Sequence, residues 1–359
     1  FCQAPIGRQA STERPRAQAI AFAYWYNPAE HVPEHDALGP DGVGTSSGES
    51  PMARETAADD PKQATYGGVT LTSPDRVLYP SLALTKAGLA AYDARVAPLM
   101  LPYVARRPIS LVRCPSGLGG PRFFQRHASK GMSDAIKQIA VPGGEPTRPY
   151  LYIEDADGLF ALTQIGTLEI HDWGVSIDRL DQPDRLVFDL DPDEGLGFDA
   201  LREAARHVRD LLAELSLTSF LRATGGKGLH VVVPLAPKAG WPEVKDFSRA
   251  VADTLVGQEP DHYTANPLKR SRTDKIFVDY LRNSRGNSAI CNYSPRAKPG
   301  APVAVPLRWS ELARLETGAP YTVKTVPTRL SRLKGDPWEG FFFARQTITP
   351  QARKTVGLD

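Results

Sequence analysis

The chain has 359 residues, of which 41% are hydrophobic and 23% charged, with a formal net charge of +2 at pH 7. This composition is ordinary for a globular protein of one or two domains, and the balanced charge gives no argument for nucleic-acid binding by itself. The cysteines Cys2, Cys114 and Cys291 form neither a disulfide framework nor a CxxC zinc motif. No apolar run approaches the roughly 20 residues of a membrane span. A reducing, cytosolic compartment is therefore expected.

The first 66 residues are rich in Ala, Pro, Gly, Ser and acidic residues and show little hydrophobic periodicity. This texture predicts a disordered leader or interdomain linker over residues 1–66. Alternating apolar and polar residues begin near residue 67, and they predict one folded domain over 67–350. A flexible tail is expected at 351–359.

Hydrophobic spacing predicts a first helix over 84–104, with Thr85 as its N-cap. The following elements are predicted in chain order: a strand at 185–191, a helix at 197–215, strands at 218–223 and 229–235, a helix at 241–256, and strands at 275–283 and 288–294. The block 185–235 resembles a βαβ unit. The mixture predicts an α/β (mixed α+β) fold in which β-sheets are flanked by helices.

The segment RLVFDLDPDEG, residues 185–195, places two carboxylates at the end of an apolar strand. Residues i and i+2 of a strand share a face about 6–7 Å apart, so Asp189 and Asp191 converge while Leu190 points to the core. The two carboxylates would raise each other's pKa unless a cation neutralised them, and Mg²⁺ or Mn²⁺ suits their oxygen atoms. A solvated strand end, or a salt bridge to an arginine such as Arg185, explains an isolated DxD equally well.

Three other interpretations are weakened or excluded by spacing. An EF-hand loop is excluded because its sixth and twelfth positions would be Glu194 and Ala200 instead of Gly and an acid. Phosphatases with an aspartate nucleophile usually follow the DxD with Thr or Val, and Pro192 stands there. The turn TGGKG is not a P-loop, because Gly228 follows Lys227 where Ser or Thr is required.

The glycine-rich segment RATGGKGLH, residues 222–230, is typical of an anion-binding turn. Glycine lets successive backbone N–H groups face an anion, and Lys227 adds a positive charge. Alternation in the next strand places His230 near the same mouth. A hairpin with a surface lysine is the plainer alternative. Next to the two aspartates, the turn favours a nucleoside triphosphate with its metal ions.

Three further features gain meaning only beside these motifs. Asp279 in FVDYLRN would complete a two-metal site, although a lone strand aspartate usually caps or pairs with an arginine. The segment RFFQRH, residues 122–127, joins Phe123 and Phe124 to cations, a pattern expected where bases stack, with core packing as the alternative. LKRSRTDK, residues 268–275, is expected to be an exposed basic loop.

Motifs along the chain, taken in order, resemble the polymerase domain of bacterial DNA ligase D, a member of the archaeo-eukaryotic primase superfamily that acts in non-homologous end joining. They are PDRVLYP, RPISLVRCPSGLGGPRFFQRH, LTQIGTLEIHDWG, DRLVFDLDPDEG, ATGGKGLHVVVPL, FVDYLRNSRGNSAICNYSPRAKPGAPVAVPLRWSEL and DPW. The resemblance covers about residues 67–345. One departure is Thr224, where the family commonly has serine. No KxDG motif is present, so the ligase core is expected to be absent, and the chain is either a stand-alone polymerase or a fragment of a longer ligase.

The resemblance implies an archaeo-eukaryotic primase-like fold and a metal-dependent nucleotidyltransferase that extends or fills broken DNA ends, with ribonucleotides preferred. Carried over residue by residue, the metal ligands are Asp189, Asp191 and Asp279; the nucleotide-binding residues are His171, Thr224, Lys227, His230, Arg282 and Arg296; and the DNA-binding residues are Arg76, Lys86, Phe123 and Phe124. Two divalent ions, Mn²⁺ or Mg²⁺, are the implied cofactors. One would be held by all three aspartates and lower the pKa of the primer 3′-hydroxyl, and the other would neutralise the triphosphate.

The implied partners are NTP or dNTP, DNA ends with a 5′-phosphate, Ku, and a DNA ligase in the same or another chain. No membrane association is expected, and the implied location is the bacterial cytoplasm at the nucleoid. Two rivals stay open: a catalytically silent DNA-end-binding module and an aspartate-nucleophile phosphatase.

Overall fold

Two large β-sheets organise the part of the chain that the computed structural model describes, residues 63–142 and 148–359. The strands are β1 (Gln63–Tyr66), β2 (Val69–Thr72), β3 (Val77–Tyr79), β4 (Leu84–Thr85), β5 (Ile109–Arg113), β6 (Phe123–Gln125), β7 (Lys137–Ile139), β8 (Tyr150–Tyr152), β9 (Thr167–Asp172), β10 (Arg185–Pro192), β11 (Phe220–Ala223), β12 (Leu229–Pro234), β13 (Tyr263–Thr264), β14 (Ile276–Asp279), β15 (Ala289–Ile290) and β16 (Val305–Leu307). The helices are α1 (Lys86–Val104), α2 (Ala156–Gln164), α3 (Phe198–Glu214), α4 (Trp241–Gln258), α5 (Val326–Arg332) and α6 (Pro350–Thr355).

The first sheet has six strands in the order β13-β14-β10-β12-β11-β16. All its neighbours are antiparallel except β13 and β14. Since β10 and β11 are each antiparallel to β12, they run parallel to each other with β12 between them, and α3 connects them. The predicted βαβ unit is therefore a split one, because the hairpin of β11 and β12 inserts a strand into the gap.

The second sheet follows the order β15-β9-β5-β8-β7, and β6 pairs with β5 outside this path. Its strands are antiparallel throughout. One continuous apolar core includes residues of both sheets and of the helices.

Helix α3 shows why the sequence forms this core. Leu201, Ala204, Val208 and Leu211 recur at helical spacing, and each of them is buried. The predicted start of α1 is also confirmed, because Thr85 Oγ1 accepts a hydrogen bond of 3.1 Å from the Gly88 N–H. The predicted mixture of sheets and flanking helices is confirmed.

Two predicted strands are shorter in the structure, for local reasons. Strand β14 ends at Asp279 because Asp279 Oδ1 accepts the Leu281 N–H at 2.8 Å, a side-chain turn that leads into a 3₁₀ segment at Leu281–Asn283. Strand β15 covers only Ala289–Ile290 of the predicted 288–294, and the left-handed backbone of Tyr293 (φ 66°) interrupts any continuation.

Both predicted ends of the folded domain differ from the structure. Gln63–Tyr66, the last four residues of the predicted leader, form β1 and pair with β2. The rest of that leader, residues 1–62, lies outside the described residues. The predicted tail contains most of α6, which Thr349 caps from just before the tail by accepting the Ala352 N–H at 3.1 Å, and Ala352 and Val356 are buried against the core. No helix of the described segments is long and apolar enough to cross a membrane.

Candidate active site

Asp189, Asp191 and Asp279 lie on one face of the first sheet. Asp189 is paired in register with Asp279 on β14 and with His230 on β12, and residues directly opposite each other in antiparallel strands share a face. Asp191 lies on the same face, two residues further along β10. The three side chains are 15%, 30% and 12% exposed, respectively, while Leu190 is completely buried. The predicted alternation of this strand is confirmed.

Each of these carboxylates contacts a basic side chain. Arg282 contacts two of them, with Nη2 3.0 Å from Asp189 Oδ2 and Nε 3.3 Å from Asp279 Oδ2. Lys227 Nζ lies 3.2 Å from Asp191 Oδ1. Among residues 63–142 and 148–359, no group of three or more His, Cys, Asp and Glu side chains is arranged to hold a metal ion. The protein's own cations therefore compensate the carboxylates here.

The pKa values of Asp189 and Asp279 shift in opposite directions. Burial opposes ionisation of Asp189, but the hydrogen bond from His230 and the charge of Arg282 hold the pKa of Asp189 well below its usual range. Burial raises the pKa of Asp279, against the charge of Arg282 and with the help of Asp189. Burial also lowers the pKa of His230 to about 4. Of Asp189 and Asp279, Asp279 is thus the carboxylate whose charge is less compensated, although it touches Arg282.

The TGGKG turn closes onto itself through Thr224. The Thr224 hydroxyl donates to the Gly228 carbonyl at 2.8 Å and accepts the Gly226 N–H at 3.2 Å. Gly225 has a φ of 67°, a conformation that favours glycine. Lys227 Nζ donates to the Pro192 carbonyl at 2.8 Å, which brings the turn to the end of β10. Thr224 is buried and shapes the turn.

The backbone of Gly318 packs directly against this turn. Its carbonyl accepts the Gly225 N–H at 2.9 Å. A Cβ added at Gly318 would lie 2.6 Å from the Gly228 carbonyl oxygen and 2.8 Å from that of Gly226. Only glycine allows such a close approach of the two backbones. No motif in the sequence pointed to this residue.

A second cluster joins the second sheet to the turn. His171 Nε2 lies 2.8 Å from Glu169 Oε2, and Arg296 Nε lies 3.2 Å from the same oxygen. Arg296 Nη1 also donates to the Thr224 carbonyl at 2.8 Å. Burial opposes ionisation of Glu169, yet His171 and Arg296 lower its pKa to about 2. Glu169 was missed in the sequence, where its spacing two residues before His171 on a strand was the only signal.

Arg272, from the loop expected to be exposed and basic, is a further missed residue. Its Nη1 lies 3.1 Å from Asp191 Oδ2, and its guanidinium carbon lies 3.9 Å from the ring centroid of Phe277. The loop therefore supplies a cation to the site. Spacing alone gives no signal for this contact, because it depends on how the loop folds back.

Arg76 and Lys86 lie together at the start of α1. The Lys86 side chain is buried, and its ammonium donates to the Thr72 carbonyl at 2.8 Å and to the Gln164 carbonyl at 3.1 Å. Burial and the nearby Arg76 lower the pKa of Lys86. Arg76 donates to the Pro115 carbonyl at 2.9 Å from an exposed position. Neither forms an ion pair with a carboxylate in the described part of the chain.

Phe123 and Phe124 are exposed on β6, at 51% and 60%. Core packing, the alternative weighed for them, is therefore wrong. The Arg126 guanidinium carbon lies 5.5 Å from the ring centroid of Phe124, a cation–π contact. The pair forms an aromatic surface with an adjacent cation.

Three carboxylates therefore lie at the end of a mixed sheet, beside a glycine-rich turn with a lysine, in the order in which the sequence motifs predict them. The model of the LigD primase-polymerase domain family matches residues 85–338. This chain belongs to the LigD primase-polymerase domain family.

Individual relatives agree with this assignment. The multifunctional non-homologous end joining protein LigD of Pseudomonas aeruginosa is 42% identical over 308 residues, 85% of this chain and 36% of that protein. LigD of Mycolicibacterium smegmatis is 34% identical over 250 residues, 69% of this chain and 33% of that protein. The chain thus spans about a third of the length of these curated relatives.

Among solved structures, the polymerase domain of Mycobacterium tuberculosis ligase D in complex with DNA matches with a TM-score of 0.71 at 33% identity. The match covers 77% of this chain and 99% of that chain. The family resemblance and the fold predicted from the sequence are confirmed.

Proposed function

We propose that this chain is a template-directed and end-extending nucleotidyltransferase that fills gaps and processes DNA ends in bacterial non-homologous end joining, with ribonucleotides preferred. The observation that carries the proposal is the placement of Asp189, Asp191 and Asp279 on one sheet face beside the Lys227 turn. Family membership supports it, since the relatives are end joining proteins and a matched domain structure holds DNA.

The residues fit divalent ions by the chemistry of their donors. Three carboxylates supply only hard oxygen ligands, which suit Mg²⁺ or Mn²⁺. The raised pKa of Asp279 and the mutual repulsion with Asp189 indicate a face that favours added positive charge. Asp189, Asp191 and Asp279 would hold the ions. When bound, such ions lower the pKa of a hydroxyl nucleophile and neutralise phosphate oxygens.

The remaining site residues are assigned by position. Lys227 and Arg282, which neutralise the aspartates in this structure, are assigned to the phosphates of the incoming nucleotide, together with His230. Thr224 shapes the turn that faces the phosphates, and His171 and Arg296 are tied to that turn through Glu169. Because charge-assisted contacts to phosphate are strong, this basic lining favours a triphosphate.

Two pairs of residues are assigned to the DNA. Exposed aromatic rings stack on bases whatever the sequence, so Phe123 and Phe124 are assigned to the template and the primer end. Arg76 and Lys86 are assigned to the 5′-phosphate of the downstream strand, because neither is neutralised by a carboxylate among the described residues. Ku and a DNA ligase are the proposed protein partners, and the cytoplasm at the nucleoid is the proposed location.

A primer-extension assay tests the proposal. The full chain is given a gapped DNA with a 5′-phosphate, ribo- or deoxynucleotides, and Mn²⁺ or Mg²⁺. We expect extension that Asp189→Asn and Asp279→Asn each abolish, while Glu194→Gln, a matched exposed carboxylate on the same segment, retains it. DNA binding should persist in all three variants.

The rivals give different results. Binding without extension by the unaltered chain would identify a silent end-binding module. Phosphate release from a small phosphoester, with a trapped phosphoaspartate at Asp189, would identify a phosphatase. Extension by Asp189→Asn would overturn the assignment of the carboxylates.

A further inference from the structure

Arg222 is a buried arginine beside His230, on the neighbouring strand. It is 3% exposed and is paired in register with His230 across β11 and β12. Its Nη2 and Nε lie 2.8 and 3.3 Å from His230 Nδ1, and its Nη1 lies 3.4 Å from Asn292 Oδ1. In the described part of the chain, Arg222 forms no ion pair with a carboxylate. Its main polar contact is therefore with one nitrogen of one imidazole.

This contact decides where the proton of His230 is. A guanidinium has only N–H donors and accepts no hydrogen bond. His230 Nδ1 must then present its lone pair, because an Nδ1–H would point at two other N–H groups. The hydrogen of the ring is left on Nε2, which lies 3.3 Å from Asp189 Oδ1. The Nδ1–H tautomer would lose the hydrogen bonds to both Arg222 and Asp189.

We propose that Arg222 is a positioning residue that fixes His230 as the Nε2–H tautomer, so that His230 faces the nucleotide site as a hydrogen-bond donor only. In the nucleotide-free structure this donor meets Asp189, and with a nucleotide present it is aimed at a phosphate oxygen. The second half of the statement rests on the proposed function, whereas the tautomer itself does not. For histidines that ligate a metal, loss of the partner that fixes the ring tautomer typically costs about 10- to 100-fold in metal affinity or activity, and we expect an effect at the low end of this range for His230.

The alternative is a role in packing alone. The Arg222 guanidinium carbon lies 5.7 Å from the ring centroid of Trp338, so its removal would also disturb the core. A matched control is Arg329→Met. Arg329 is half-buried, pairs with Glu311 and lies over the ring of Tyr321 at 4.6 Å.

The tautomer can be measured directly in the nucleotide-free, metal-free full chain. Long-range ¹H–¹⁵N spectra of ¹⁵N-histidine-labelled protein at pH 7.5 resolve Nδ1 and Nε2 for the 7 histidines, and His230→Gln assigns the relevant ring. We expect Nε2–H in the unaltered chain, in Arg222→Lys and in Arg329→Met, and a mixture of tautomers in Arg222→Met.

Nδ1–H or an imidazolium in the unaltered chain would overturn the proposal, and so would an unchanged tautomer in Arg222→Met. If Arg222→Met does not fold, Asp189→Asn decides, because Nε2–H should persist there when Arg222 fixes the tautomer, and a mixture of tautomers would overturn the proposal. In extension assays, Arg222→Met should raise KM for the nucleotide about tenfold, with a much smaller change in kcat and with rescue by Arg222→Lys. Absence of any extension, combined with the expected tautomers, would count against the proposed function and leave the positioning role standing.

Discussion

Asp189 and Asp279 lie directly opposite each other on antiparallel strands, and one guanidinium, that of Arg282, contacts both. The charge of Asp189 raises the pKa of Asp279, so the two carboxylates repel each other and a shared cation stabilises the pair. Arg282 takes this role in the structure. An experiment can therefore measure whether a divalent ion replaces the Arg282 guanidinium as the cation between these two carboxylates.

Arg282→Met should make stability more dependent on a divalent ion. Without its guanidinium, the metal-free variant is expected to melt several degrees below the unaltered chain. Added Mn²⁺ should raise the melting temperature of Arg282→Met by more than that of the unaltered chain, because a ligand of the folded state stabilises it. Differential scanning fluorimetry measures both shifts. Asp189→Asn is the control, and a rise there as large as in Arg282→Met would contradict the assignment of the ion to this pair.

Gly318→Ala should weaken nucleotide binding without unfolding the chain. The added Cβ would lie 2.6 Å from the Gly228 carbonyl oxygen, so the TGGKG turn must shift. Small displacements of positioning groups are costly, and we expect KM for the nucleotide to rise about tenfold. Gly257→Ala in α4 is the matched control, since its Cβ would meet nothing within 4 Å. Equal kinetics for the two variants would show that the turn tolerates the shift.

Lys86→Ala should reduce the preference for gaps that carry a 5′-phosphate. The Lys86 ammonium is held by neutral carbonyl groups, so no described carboxylate cancels its charge towards a bound phosphate. We expect the ratio of Kd values for unphosphorylated and phosphorylated gaps to fall to about 2 or less, because one phosphate contact is lost. Fluorescence anisotropy at fixed salt measures both Kd values. Lys245→Ala, which removes an exposed lysine of α4, is the control, and an unchanged ratio in Lys86→Ala would reject the phosphate role.

Asp93→Asn should stabilise the chain above neutral pH. Burial raises the pKa of Asp93 from 3.8 to about 7, and the hydrogen bond from Thr163 only partly opposes this. A carboxyl whose pKa is raised on folding stabilises the fold when protonated, and this contribution is lost as pH rises from about 4 to 7. At pH 8 the variant should gain up to about 4 kcal/mol in unfolding free energy.

Urea denaturation at pH 5 and pH 8 tests this effect. The difference in stability between the two pH values should shrink in Asp93→Asn. A variant less stable than the unaltered chain at pH 8 would contradict the raised pKa.

The sequence predicts elements whose signal is local. The spacing of Leu201, Ala204 and Val208 predicts α3, and the run before Asp189 predicts β10 and the shared face of its two aspartates. The order of the strands could not be predicted from local signals, because insertion of β12 between β10 and β11 depends on pairing across the whole sheet. A βαβ pattern with adjacent strands leaves the same local signal.

Sequence motifs predicted some residues of the candidate site. Residues that reach the site only through contacts with distant parts of the chain were missed. Lys227 and Asp191 each belong to a recognisable motif, so their meeting could be expected. Glu169, Arg272 and Gly318 act through partners far along the chain. Each is an ordinary residue in its own segment, and only tertiary packing brings it to the candidate site.

The position of β14 in the sheet has a consequence for thermal inactivation of the protein. This strand is one place from the sheet edge, covered by the two-residue β13, and Asp279 is its last residue. Edge regions open at lower free energy than the centre of a sheet. Heat should therefore fray β14 and detach the third carboxylate while β10, β12 and α3 stay folded. Activity would then disappear below the melting temperature, and amide exchange at Val278 would report the event first.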